Sequence, residues 1–196
     1  MTKSYFAESA LLPSGWTPDV LFEVGADGLI AKASPHAAAG DAERLRGPAI
    51  PGMPNLHSHA FQRAMAGLTE KGGPQGDSFW SWRKLMYGFL ENLTPDDVEV
   101  IASQLYIEML RAGYTAVAEF HYLHHDPKGQ PYANLAETGE RIAAAARNTG
   151  MALTLLPVFY AHGNFGGVEP TVGQRRFINS LDGFNRILES LSLIHI

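Results

Sequence analysis

Pro51-Gly52-Met53-Pro54-Asn55-Leu56-His57-Ser58-His59 is the stretch on which the reading of this chain turns. A short apolar run punctuated by proline and glycine leads into a His-x-His pair. In an extended strand, side chains alternate between faces, so His57 and His59 point one way and Ser58 the other. Imidazoles on one face, about 6–7 Å apart along the backbone, can converge on one ion. A strand ending in such a pair at the mouth of a parallel barrel supplies half of a catalytic metal site. The bland alternative is two surface histidines at the end of a loop, and His-x-His alone does not decide between them.

Outward from this strand, the chain alternates strand and helix. Phe61 to Leu68 has room for one or two helical turns, and Lys71 to Gly76 breaks them. Phe79 to Leu90 reads as an aromatic-rich helix. The next helix starts at Thr94 as N-cap, with Pro95 in the first helical position and Asp96 and Asp97 at the positive end of the dipole. It runs through Val98, Ile101, Leu105 and Ile107 to Arg111, and Gly113 stops it. Tyr114 to His121 is a strand, Ala136 to Asn148 a helix closed by Gly150, and Met151 to Tyr160 a strand apolar enough to be buried on both faces. A last helix is expected over Gln174 to Leu191. This is the βαβ pattern of a parallel sheet. Before it, Val20 to Val24 and Leu29 to Ala33 form a hairpin across Gly25-Ala26-Asp27-Gly28, and Ser34 to Gly47 reads as a loop.

A (β/α)8 barrel takes about 250 residues, whereas the whole chain has 196. The expectation is therefore α/β: a β segment over 1–48, the first part of a barrel over 49–190, and a non-native tail over 191–196. An N-terminal fragment is implied, with a small self-contained α/β domain as the alternative.

Composition narrows the function classes. With 45% hydrophobic and 18% charged residues, the chain is globular in character. A net charge of −5 without a basic cluster argues against nucleic acid as a partner. There are no cysteines, which leaves His and carboxylate as metal ligands. No apolar run reaches the ~20 residues of a membrane span. Glu8 interrupts the apolar stretch Tyr5 to Leu12, so a signal peptide is not expected and the cytoplasm is the expected compartment.

The stretch Pro51 to His59 resembles the first barrel strand of the amidohydrolase superfamily. Ala60-Phe61-Gln62-Arg63-Ala64-Met65-Ala66-Gly67, Ser78-Phe79-Trp80-Ser81-Trp82-Arg83 and Ala118-Glu119-Phe120-His121-Tyr122-Leu123-His124-His125 narrow that resemblance to formimidoylglutamate deiminases. It extends from about residue 5 to about residue 190. It implies a metal-dependent hydrolase (β/α)8 barrel preceded by a small β-sandwich segment, one Zn(2+) per subunit, and a homodimer at full length. The implied reaction is hydrolysis of N-formimidoyl-L-glutamate to N-formyl-L-glutamate and ammonia.

The resemblance also implies roles. His57 and His59 become metal ligands, and the other ligands and the acid/base residues come from later strands, so the chain alone is expected to be inactive. Gln62 becomes a substrate contact, its amide suited to a carboxylate or an amidine nitrogen. Arg83 becomes a planar fork for a carboxylate of the glutamate portion, and Tyr122 a hydroxyl for the other. Each has a plainer reading, as a solvated glutamine, an exposed helix arginine or a packed tyrosine. Trp80 and Trp82 read as packing residues, His124 and His125 as solvated loop residues, and the loop opening at His162 as a possible border of the site. Glu119 and His121 share strand parity, facing either the barrel interior or the helices. Two competing functions stand beside this one: a deaminase of nucleobases or related heterocycles, and a non-catalytic truncated fragment.

Overall fold

A computed structural model describes residues 3–69 and 78–192. The Lys71–Gly76 break and most of the 191–196 tail lie outside these residues. The chain divides into two compact units, 1–52 and 53–196.

The first unit is a four-stranded sheet. β1 (Lys3–Leu12) pairs antiparallel with β2 (Gly15–Val24), which pairs antiparallel with β3 (Ile30–Ser34). β4 (Glu43–Arg44) lies parallel to β1 on its other side. The hairpin between β2 and β3 closes where the Gly25 N–H donates to the Leu29 carbonyl at 2.8 Å, with Gly28 at φ +80°. Ala7, Ala10 and Val20 are its buried core. β1 and β4 lie outside the predicted strands, and β4 falls within the expected loop Ser34 to Gly47. The apolar residues of β1 include the adjacent pairs Phe6-Ala7 and Leu11-Leu12, which blur the period-two signal.

The second unit holds a three-stranded parallel sheet in the order β5 (Met53–Ser58), β6 (Tyr114–His121), β7 (Ala152–Pro157). Between β5 and β6 come a 3-10 helix (Ala60–Met65), α1 (Phe79–Leu90) and α2 (Pro95–Arg111). α3 (Glu137–Thr149) joins β6 to β7, and α4 (Leu181–Ser192) follows. Both α1 and α2 open with capping boxes: Ser78 and Ser81 exchange side-chain bonds with each other's backbone, as do Thr94 and Asp97. α3 ends at Gly150, whose φ of +80° favours glycine.

α2 buries Val98, Ala102, Tyr106 and Met109, one stripe at helical spacing. Burying a large side chain contributes roughly 1.5–3 kcal/mol. The face is rotated from the expected one: Ile107 is exposed, and Ile101 and Leu105 lie at the margin of the core.

Two element expectations are corrected. β7 stops at Pro157 rather than Tyr160: the Val158 N–H still donates to the His121 carbonyl at 2.9 Å, but β6 ends at His121 and offers no further partner. The last helix starts at Leu181, not Gln174. Val172–Gln174 form a single 3-10 turn, and residues 175–180 are held in irregular backbone by longer-range bonds, including a bridge of Ile178 to Tyr160 and the Asn179 N–H on the Tyr160 carbonyl.

Candidate active site

β5 carries His57, and His59 follows directly on its last residue. The rings of His57 and His59 stand edge to face with centroids 4.8 Å apart, and Phe120 of β6 packs 4.8 Å from His57. His59 Nδ1 lies 2.9 Å from the Phe120 carbonyl, which only accepts, so Nδ1 carries the proton and Nε2 offers the lone pair. Burial, more than the neighbouring His57, lowers the His59 pKa and keeps it neutral. A neutral imidazole anchored through its other nitrogen is the form a metal requires. Among the described residues, no group of three His, Cys, Asp or Glu side chains gathers to hold an ion. The pair therefore fits a divalent metal as two ligands of a larger set.

Ser58 points away from the histidines and is buried. On that side, Glu119 Oε1 accepts the Ala60 N–H at 2.6 Å and so grips the backbone just after His59. Burial raises the Glu119 pKa, partly offset by Ser58 and Ala60. His121 shares this side, where its Nε2 lies 3.0 Å from Thr138 Oγ1 on α3. Glu119 and His121 thus face the helices, and Phe120 and Tyr122 face the histidine pair.

A cavity of about 730 Å³ opens beside His59, and Gln62, Arg83 and Tyr122 all line it. Gln62 Nε2 donates to Tyr122 Oη at 3.0 Å and approaches Met86 Sδ at 3.9 Å. With its amino group so used, Gln62 offers the cavity a carbonyl oxygen. Arg83 Nε donates to Tyr87 Oη at 2.5 Å, and its guanidinium lies 5.3 Å from the Tyr87 ring and 5.8 Å from the Trp80 ring. The Tyr87 hydrogen bond is the largest cause of a raised Arg83 pKa. Burial raises the Tyr122 hydroxyl above its ordinary value, keeping it protonated.

Some residues sit where the sequence reading did not put them. His124 and His125 are buried rather than solvated: their Nε2 atoms meet the Val158 and Ile178 carbonyls at 3.1 and 2.9 Å. Those carbonyls arrive from 34 and 53 residues away, so the polar Asp126-Pro127-Lys128-Gly129 that follows is misleading. Trp80 is 64% exposed instead of packed, while Trp82 joins the core margin and the cavity wall. Tyr87, Tyr160 and His162 also line the cavity. No motif flagged the two tyrosines, although Tyr87 stands one helical turn from Arg83.

Two imidazoles at the end of a parallel strand thus stand beside a cavity that an arginine lines, on the leading part of a (β/α) fold. Residues 49–176 match the model of the Amidohydrolase family, and the chain belongs to that family. Residues 2–47 match the model for the N-terminal domain of formimidoylglutamate deiminase HutF. The chain is 59% identical over 186 residues to formimidoylglutamate deiminase of Pseudomonas aeruginosa, covering 95% of this chain and 41% of that protein. A crystal structure of an amidohydrolase from Brucella melitensis superposes with a TM-score of 0.91 at 51% identity, covering 97% of this chain and 42% of the other. Atrazine chlorohydrolase TrzN from Arthrobacter aurescens TC1, complexed with zinc, shares the fold alone: TM-score 0.71 at 16% identity, covering 98% of this chain and 43% of the other. The chain thus spans about two fifths of the length of these relatives.

Proposed function

We propose that this chain is the N-terminal part of a zinc-dependent deiminase that hydrolyses N-formimidoyl-L-glutamate to N-formyl-L-glutamate and ammonia. The observation that carries the reading is the cavity itself. The neutral Nε2 side of His59 and the Arg83 guanidinium border one space of about 730 Å³, enough for a glutamate-sized molecule. The name of the Pseudomonas aeruginosa relative supplies the reaction, and the zinc of the TrzN complex supplies the metal.

His57 and His59 would hold the metal, with its remaining ligands supplied by sequence equivalent to the rest of the relatives' length. When bound, zinc lowers the pKa of a ligated water toward ~7 and so provides a nucleophile at neutral pH. Water adds its oxygen to the formimidoyl carbon, the C–N bond to the terminal nitrogen breaks, and that nitrogen leaves as ammonia. The Gln62 carbonyl accepts an N–H of the amidine, which a second amide donor would repel. Arg83 pairs with a carboxylate of the glutamate portion, and Tyr122 donates its hydroxyl proton to the other. Phe120 and Met86 exclude water from the two ends of Gln62 and the histidine pair. The ligand is thus a small molecule with two carboxylates.

In a protein of the relatives' full length carrying this chain, ammonia release from N-formimidoyl-L-glutamate tests the reading. Arg83→Leu is expected to raise KM at least tenfold, and His57→Ala with His59→Ala to abolish bound zinc. A protein with Arg83→Leu that turns the substrate over normally would remove the dicarboxylate assignment.

A further inference from the structure

Tyr87 and Tyr160 stand on the cavity wall beside Arg83, and neither has a role in the reading above. Their hydrogen bonds have a fixed direction. The Arg83 Nε–H only donates, so Tyr87 Oη must accept from it. Tyr160 Oη receives Gln174 Nε2 at 2.8 Å. The Gln174 amide is itself locked: its Oε1 takes the Thr171 N–H at 2.8 Å, and its Nε2 also reaches the Gly163 carbonyl at 3.0 Å. Flipping that amide would set oxygen against oxygen at Gly163 and N–H against N–H at Thr171. Tyr160 therefore accepts as well.

A phenol has one proton. With a lone pair of each hydroxyl taken by a donor-only partner, each O–H remains to be given elsewhere. If one tyrosine donates to the other, one proton is still left to give. The Tyr87 hydroxyl is held away from easy ionisation: burial raises its pKa by more than the Arg83 hydrogen bond lowers it.

The backbone fixes these positions. A Cβ on Gly173 would lie 2.5 Å from Tyr87 Cδ2 and 2.6 Å from its Cγ, so only glycine lets the 172–174 turn seat the Tyr87 ring. Gln174 is fully buried and ties that turn to the loop carrying Tyr160 and Gly163.

We propose that Tyr87 and Tyr160 are substrate-binding residues that, together with Arg83, form a donor-only subsite for one carboxylate of the ligand. The Tyr87–Nε bond also turns the guanidinium so that its terminal amino groups, and not its edge, remain for that carboxylate. The subsite rests on the deiminase reading for the identity of the ligand and on the hydrogen-bond directions for its chemistry.

Glutarate, which has two carboxylates and no formimidoyl group, is the probe. Its equilibrium binding is measured calorimetrically in the full-length protein carrying this chain, and in Tyr87→Phe and Tyr160→Phe. Turnover of N-formimidoyl-L-glutamate is measured alongside. Loss of a hydrogen bond to a charged group is expected to weaken glutarate about tenfold in each variant and to raise KM for the substrate with kcat nearly unchanged. A merely structural role would instead lower kcat and KM-independent stability together. Glutarate affinity unchanged in the folded variants, or absent from the unmodified protein, overturns the subsite. Failure of the unmodified protein to release ammonia overturns the deiminase reading instead. Should one variant fail to fold, the other decides.

Discussion

Acidification from pH 7.5 to 5.5 should destabilise the second unit through two buried histidines. Thr138 Oγ1 donates its proton to the Leu123 carbonyl at 2.5 Å, so it accepts from His121 Nε2–H. His124 Nε2–H is likewise given to Val158. Both rings are buried neutral. Burial, reinforced by the neighbouring His124, takes the His121 pKa to about 3, and burial takes that of His124 to about 4. The unfolded value is near 6.5. Because the folded values are depressed, the unfolded chain binds more protons between about pH 3 and 6.5, and stability falls as pH drops through that window. Each histidine contributes about 1.4 kcal/mol between pH 7.5 and 5.5, roughly 2.7 kcal/mol for both. Against a domain stability of about 5–15 kcal/mol that is a large share. Glu119, with its raised pKa, acts in the opposite sense, so the quantity to read is the difference between the protein and His121→Asn/His124→Gln. Urea denaturation followed by circular dichroism at the two pH values measures it. A double variant with the same pH dependence as the parent would show that these rings do not titrate on unfolding.

Arg176, 2% exposed, donates to the carbonyls of Leu90, Leu93 and His125 and to Tyr132 Oη, closing the C-terminal end of α1 with a cation. Arg176→Met should cost about 3 kcal/mol by denaturant unfolding, because several buried carbonyls lose their donor; a loss under 1 kcal/mol would contradict this. Gly173→Ala should force the Tyr87 ring from its seat, and weaker glutarate binding alongside a lower unfolding midpoint is the expected pair of readings. Glu119→Ala, which frees the Ala60 N–H behind His59, should cost roughly 1–3 kcal/mol and reduce zinc retention on dialysis. Glu119→Gln keeps an acceptor oxygen and should retain most of both.

The sequence made legible whatever is set by local rules. The cap at Thr94, the stop at Gly150 and the parallel strands read directly, since each is decided within a few residues, whereas the capping box at Ser78 went unread. The parity of β5 separates Ser58 from His57 and His59 in the structure as alternation requires. What escaped was decided by partners far along the chain. His124 and His125 look solvated until Val158 and Ile178 present carbonyls to them. Residues 174–180 carry helix-compatible side chains, but the Gln174 amino group and the Arg176 guanidinium are spent on groups 11 to 86 residues away, and past the short turn ending at Gln174 the backbone so pinned does not coil.

The same distinction explains the division of labour in the cavity. The proposed metal ligands, His57 and His59, lie two residues apart at the end of β5, close enough for local sequence to pair them. The opposite wall of the cavity is assembled from α1 and the segments after β6 and β7, and its chemistry depends on which atom of each pair must accept. Arg83 is visible as a charge in the sequence, but the donor character of Tyr87 and Tyr160 arises only when Nε and the Gln174 amide consume their lone pairs. In the proposed subsite, the selection of an anion therefore does not rest on the arginine alone. A neutral heterocycle would bring no negative charge to a guanidinium and the phenol proton left beside it, and each unmatched donor would count against its binding.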